Sequence, residues 1–211
     1  MKQATRIKIL DRFAKDNPKP IIELHFCSPF ELLISTLLSA QSTDIMVNKV
    51  TKKLYSKAND PISFLEIGLD NIKKYIQPIG LHNIKALNII KICHILLKKY
   101  NSQIPNNRIE LEKLPGIGPK TASIILNIIF DQPTIAVDTH VFRFCNRTGF
   151  ALGKNVKQVE NKLLQVVPDV FKKNCHLWIV LHGRHVCKYR KPKCTTCNIN
   201  DLCDYYRITN I

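Results

Sequence analysis

The sequence predicts an all-α protein whose C-terminal end is held by a metal. Three observations predict it. Apolar residues recur at helical spacing along almost the whole chain, while period-two alternation is scarce. Capping residues stand just ahead of several apolar runs. Four cysteines, Cys187, Cys194, Cys197 and Cys203, fall within seventeen residues in the pattern C-x6-C-x2-C-x5-C.

Ile7, Leu10, Phe13 and Ala14 form the first apolar stripe. Ser28-Pro29-Phe30-Glu31 reads as a helix start. Ser28 is a cap, Pro29 suits the first helical position and Glu31 can close a capping box. The run that follows to about Gln41 is almost wholly apolar, so it is expected to be central and buried. Thr43 or Asp44 can cap the next helix, through Val47, Val50 and Leu54. Asp70 can cap a short one carrying Ile72, Tyr75 and Ile76. Residues 82–100 read as a long amphipathic helix with Ala86, Ile89, Ile90, Ile92, Ile95 and Leu96 inside. A turn at 114–118 opens a helix to about Phe130, which Pro133 ends. Helices are expected over about 138–148, 155–166 and 169–183. The cysteine segment has few apolar residues and reads as a loop that depends on its metal for order. No repeat, low-complexity run or flexible linker is visible.

Composition narrows the class of partner. Hydrophobic residues make up 45% of the chain, which excludes disorder. Thirty-two Lys and Arg against sixteen Asp and Glu give a formal net charge of +16, a surface suited to polyanions and to nucleic acid through counterion release. The plainer reading of that charge is a solvated lysine-rich surface. The N-terminal residues lack the apolar core of a signal peptide. The longest apolar stretches, 32–38 and 122–130, fall far short of the ~20 residues a membrane span needs. A cytoplasmic protein without membrane contact is therefore expected, nucleoid-associated if prokaryotic, and a monomer because no heptad or large apolar face stands out. A reducing compartment favours metal ligation over disulfides for the clustered thiols. Cys27, Cys93, Cys145 and Cys175 are isolated and read as core residues.

Leu114-Pro-Gly-Ile-Gly-Pro-Lys-Thr121 makes a tight turn between two helices. Gly116 and Gly118 permit positive φ or close backbone approach, and the turn leads into a helix N-terminus whose N–H groups favour a phosphate. A plain interhelical turn is the competing reading. Lys120 stands at the start of that helix. From spacing alone it is first a phosphate-contacting lysine. The helix dipole, neighbouring cations and burial would all disfavour its ammonium form, which is what a Schiff-base nucleophile needs. Asp138, eighteen residues on, is a good N-cap, and a capped carboxylate is also pre-oriented to stabilise a cation or relay a proton. His140 reads first as a packed histidine. The cysteine spacing fits tetrahedral zinc or a [4Fe–4S] cluster. His182 and His185 flank it and read as bystanders. Between the first two cysteines, Lys188, Arg190, Lys191 and Lys193 put four cations on one loop, a phosphate clamp if the loop is pinned.

These motifs together, Leu114–Ala122, Val137-Asp-Thr-His140 and the cysteine run, resemble the endonuclease III family of DNA repair glycosylases over the whole length. The resemblance implies two helical lobes with DNA in the cleft between them. Residues 22–132 would form a six-helix lobe with the helix-hairpin-helix at 114–118. Residues 1–21 and 133–211 would form an iron–sulfur lobe, its cluster loop at 187–203. It implies Lys120 as nucleophile, Asp138 as the essential carboxylate and Cys187, Cys194, Cys197 and Cys203 as ligands of a [4Fe–4S] cluster. Gln41 and Leu81 would fill the gap left by an extruded nucleotide. Gly116, Gly118 and Lys191 would contact the DNA backbone, and Ser39, Asp44 and His140 would lie near the base pocket. The implied substrate is duplex DNA with damaged pyrimidines or abasic sites. The implied reaction is removal of oxidised pyrimidines through a lysine imine, then strand cleavage by β-elimination. Pro119, His82 and Asp131 depart from the commoner family pattern at positions bearing on affinity and preference. Two alternatives stand beside this. A monofunctional adenine glycosylase would lack Lys120 and carry a further C-terminal domain, whereas this chain stops eight residues past Cys203. A non-catalytic metal-bound DNA-binding module would share the charge, turn and cysteines.

Overall fold

The computed structural model describes residues 1–209; residues 210 and 211, the last two of the expected iron–sulfur lobe, lie outside the described residues. The architecture is helical, with no strand among the described residues. The chain divides into two compact units. One is Ile22–Phe130. The other joins Met1–Ile21 to the described residues from Asp131 on.

The first unit holds six helices, α2 (Pro29–Ser39), α3 (Asp44–Tyr55), α4 (Pro61–Ile76), α5 (His82–Tyr100), α6 (Arg108–Glu112) and α7 (Pro119–Phe130). Ser28 caps α2 by accepting from the Glu31 N–H. The Glu31 carboxylate reaches back one residue further than a capping box requires and accepts from the Cys27 N–H. Every residue of α2 from Phe30 to Leu38 is buried, so the helix is the axis of the unit. It packs against α3, α5 and α7, and α4 packs along α5. Thr43, and not Asp44, caps α3.

Asp70 caps nothing. α4 begins at Pro61, where Asp60 accepts from the Ile62 and Ser63 N–H groups and Ser63 reciprocates. A kink at Gly68 (φ 75°, ψ 165°) restarts the helix, and the sequence signal near residue 70 belongs to this second half. In α5, Ala86, Ile89, Ile92 and Leu96 are buried as expected, while Ile90 and Ile95 pack at the core's edge.

The second unit contains α1 (Gln3–Asp16), α8 (Thr139–Thr148), α9 (Val156–Val166), α10 (Asp169–His185), a 3-10 turn (Asn200–Leu202) and α11 (Asp204–Thr209). The buried stripe of α1 is Ile9, Leu10 and Phe13, and Ile7 lies at its exposed rim. α1 is joined to the rest across a long stretch of sequence: the Trp178 indole donates to Asn17 O at 2.7 Å, and Arg6 to Phe150 O at 2.7 Å. The core is aromatic around α8. Phe13 and Phe144 both pack on the His182 ring, with centroids 5.0 and 5.5 Å away. The C-terminal segment is more ordered than its sequence suggests, since α11 packs on α8 and Arg147 lies over the Tyr205 ring at 5.2 Å.

Candidate nucleic-acid interface and catalytic residues

The hairpin at 114–118 is a turn closed by the Ile117 N–H on Leu114 O at 3.0 Å. Leu114 and Ile117 are buried and anchor it. Gly116 has φ 80°, a left-handed conformation that costs an L-residue roughly 1–2 kcal/mol. A Cβ there would meet Asn88 Nδ2 of α5 at 2.6 Å. Around Gly118 the space is open, with nothing within 4 Å of a Cβ position. A phosphate backbone can approach that side and meet the first N–H groups of α7. Lys120, the second residue of α7, is exposed. The expected burial is therefore absent here.

Asp138 caps α8. Its Oδ1 accepts from the His140 N–H at 2.8 Å and the Val141 N–H at 2.9 Å. The cap and the fixed orientation of the carboxylate are thus one feature. His140 is a packing residue in this unit: its Cβ lies where a side chain at Gly183 would fall, 2.9 Å away, and Arg143 reaches its Nδ1 at 3.3 Å.

Gln41 and Leu81 share an unusual backbone. Both have positive φ, 57° and 59°, and neither is glycine. Both are exposed, Leu81 by 56%. The two turns adjoin, since a Cβ at Gly80 would lie 3.5 Å from Gln41 O. Helical periodicity carries no signal for such a conformation. Such a conformation carries strain of roughly 1–3 kcal/mol for a non-glycine residue. Ser39 donates to Thr36 O at 2.8 Å within α2, and Asp44 sits in the first turn of α3.

The four clustered cysteines line one cavity in the second unit, with His182, Arg147 and the fully buried Ile199 among its walls. Burial pushes the Cys197 thiol up to about 11 and raises Cys194 and Cys203. Bare thiolates are disfavoured in such a place, so the donors suit a strongly cationic guest that displaces their protons. Among the described residues no three of His, Cys, Asp and Glu converge as a single-ion site. Zinc asks four thiolates to meet about one point at roughly 2.3 Å each. Four thiolates are equally the donor set of a [4Fe–4S] cluster, in which each ligand binds its own iron. His182 is no bystander: it is buried, its ring lies 3.5 Å from Cys197 Sγ, and burial lowers its imidazole to about 4, so it is neutral near pH 7.

Two arginines that the sequence reading passed over pin the basic loop. Arg147 donates to Lys188 O at 2.6 Å and Tyr189 O at 2.9 Å. Arg143 donates to Cys187 O at 3.0 Å and Gly183 O at 2.7 Å. Lys191 stands exposed at φ 51° on the turn so held. The only prior signal was their helical spacing of four on α8.

A family model described as HhH-GPD superfamily base excision DNA repair protein matches residues 34–169. Endonuclease III of Escherichia coli (strain K12) is 58% identical over 205 residues, covering 97% of each chain. The chain belongs to the endonuclease III family. The endonuclease III of Buchnera aphidicola subsp. Acyrthosiphon pisum is 59% identical over 97% of this chain and 98% of its own. Among solved structures, a trapped covalent endonuclease III–DNA intermediate with an estranged adenine matches with a TM-score of 0.92 at 39% identity, covering 100% of both chains. A thermostable thymine-DNA glycosylase matches at a TM-score of 0.85 and 25% identity, covering 97% of this chain and 98% of its own. The family fold and its base excision repair function are those of this chain, and no helix among the described residues is long and apolar enough to cross a membrane.

Proposed function

We propose that the protein is a bifunctional DNA glycosylase and abasic-site lyase that removes oxidised pyrimidines from duplex DNA. The observation that carries this is an exposed lysine on the first turn of the helix behind a phosphate-ready hairpin, in a chain of the endonuclease III family. The hairpin at Gly116 and Gly118 and the loop at Lys191 hold backbone phosphates. Gln41 and Leu81 occupy the space of an extruded nucleotide. Damaged bases stack and pair poorly, so their extrusion costs less, which is one source of selectivity. Ser39, Asp44 and His140 are assigned to the surroundings of the base.

Lys120 Nζ attacks C1′ of the deoxyribose. The N–C1′ bond forms as the bond to the base breaks, and the base leaves with the electron pair and takes a proton. Asp138 stabilises the positive charge growing on the sugar and assists the proton transfers. Ring opening gives a Schiff base that acidifies the C2′ proton. Its removal expels the 3′ phosphate oxygen, which breaks the strand 3′ to the site, and hydrolysis of the imine returns the lysine.

Cys187, Cys194, Cys197 and Cys203 are the residues that would hold a [4Fe–4S] cluster, which when bound would fix the loop that carries Lys191. The protein works as a monomer in the cytoplasm, at the nucleoid in a prokaryote.

Borohydride trapping on a duplex with one oxidised thymine tests this. A covalent protein–DNA adduct is expected with the wild type and none with Lys120→Ala. Equal strand cleavage by the two would overturn the lysine mechanism. Tight binding without base release would leave a DNA-binding module.

A further inference from the structure

α2 ends without a conventional stop. After it Ala40 is extended (φ −58°, ψ 117°) and Gln41 is left-handed; the Ser39 hydroxyl donates to Thr36 O and the Ser42 N–H to Ser39 O. Leu38 O and Ala40 O are met by Lys85. Its Nζ donates to Leu38 O at 2.9 Å and Ala40 O at 2.5 Å. The residue is only 5% exposed. Its backbone N–H also closes the first turn of α5 on Leu81 O at 3.0 Å. One residue therefore grips the chain just before Gln41 with its side chain and Leu81 itself with its main chain. One turn further along α5, Asn88 lies against the hairpin glycine Gly116.

The arrangement is costly for a mere cap. An ammonium is buried against carbonyls at the C-terminal end of α2, where the helix dipole favours it but burial opposes it. Burial lowers its pKa accordingly. A left-handed residue after α2 can serve Leu38 O through its N–H, but not Ala40 O. Nor would it tie the two left-handed turns together.

We infer that Lys85 is a positioning residue for base extrusion: its contacts with Leu38, Ala40 and Leu81 fix the Gln41 and Leu81 turns as one rigid pair. The inference rests on the reading of Gln41 and Leu81 as the residues that replace the extruded nucleotide.

The experiment compares wild type and Lys85→Met on two duplexes, one with an oxidised thymine and one with a preformed abasic site. A 2-aminopurine beside the lesion reports unstacking. An abasic site has no base to extrude, so the ratio of base release to abasic-site cleavage isolates extrusion. That ratio is expected to fall at least tenfold in Lys85→Met, with a smaller rise in 2-aminopurine fluorescence on binding. In a Gln41→Ala/Leu81→Ala background, Lys85→Met should lower the ratio no further, which a general loss of structure would not reproduce. A ratio within twofold of wild type, or an equal drop in both backgrounds, overturns the inference. If Lys85→Met does not fold, Lys85→Gln, polar but too short to span both carbonyls, takes its place with the same expected outcomes. A wild type inactive on both duplexes would sink the proposed function, and an equal fluorescence rise in wild type and variant would then separately sink the role of Lys85.

Discussion

At Asp138 mutation separates the helix cap from the proposed stabilisation of charge on the sugar. Asp138→Ala removes the acceptor of the His140 and Val141 N–H groups and is expected to cost about 0.5–2 kcal/mol of stability. Asp138→Asn keeps an acceptor and caps almost as well. It should therefore unfold at nearly the wild-type denaturant concentration while losing most base release, because only the charge is gone. If Asp138→Asn retains wild-type activity, the charge has no part in the chemistry. Gly116 and Gly118 divide in the same way. Gly116→Ala meets both the positive φ and the Asn88 amide, and should lower stability by at least about 1 kcal/mol in a denaturant titration. Gly118→Ala enters open space, so its stability should stay within about 0.5 kcal/mol of wild type. Its loss should appear in DNA affinity, where the added methyl stands between phosphate and backbone. The sequence made these residues legible because glycine, lysine and aspartate carry their constraints in their chemistry. It hid Lys85, Arg143 and Arg147, whose partners are main-chain carbonyls, some more than forty residues away. A backbone acceptor leaves no residue type to read.

Among the elements, the capped starts at Ser28, Thr43 and Asp138 were legible, since a side-chain acceptor three residues or fewer from its N–H is a local event. The first half of α4 was not. Its signal was Asp60-Pro61, and the break at Gly68 makes the second half read as a helix of its own. Gly68 sits at φ 75° and ψ 165°, a region that other residues enter only under strain of roughly 1–3 kcal/mol. Nothing lies within 4 Å of a Cβ there, so Gly68→Ala should cost that backbone term alone, read from equilibrium unfolding. The C-terminal segment is the other element that was underread. α11 is only six residues long and depends on its contacts with α8, which no periodicity over so short a span could announce. The cavity lined by the four cysteines joins the segment to the core through Ile199 and His182. Cys194→Ser is expected to strip the metal and speed hydrogen exchange throughout 187–209. Amides of α2 and α5, which belong to a core with no residue from that segment, should keep their protection. Faster exchange in α2 or α5 as well would mean that the two cores do not unfold separately.

For the molecule as a whole, a formal charge of +16 makes DNA affinity a property of the medium. The logarithm of the binding constant should fall linearly with the logarithm of salt concentration, by about 0.9 per phosphate neutralised. Lys191→Ala should reduce that slope by about one such contact. An unchanged slope would remove the basic loop from the interface.

The chain builds its second unit from its own two ends, and that has a consequence for the order of events at birth. α1 leaves the ribosome first, yet Ile9, Leu10 and Phe13 belong to a core whose other members begin at Ile135. The Trp178 indole that bonds Asn17 is made 161 residues later. At about 5–20 residues per second, α1 waits roughly 6–24 seconds for the first of its partners, while the whole of Ile22–Phe130 emerges in between. The segment translated first is thus among the last to be buried. The single tryptophan of the chain lies at that late junction, so on refolding its fluorescence should settle after the far-ultraviolet signal of the helices made in the meantime.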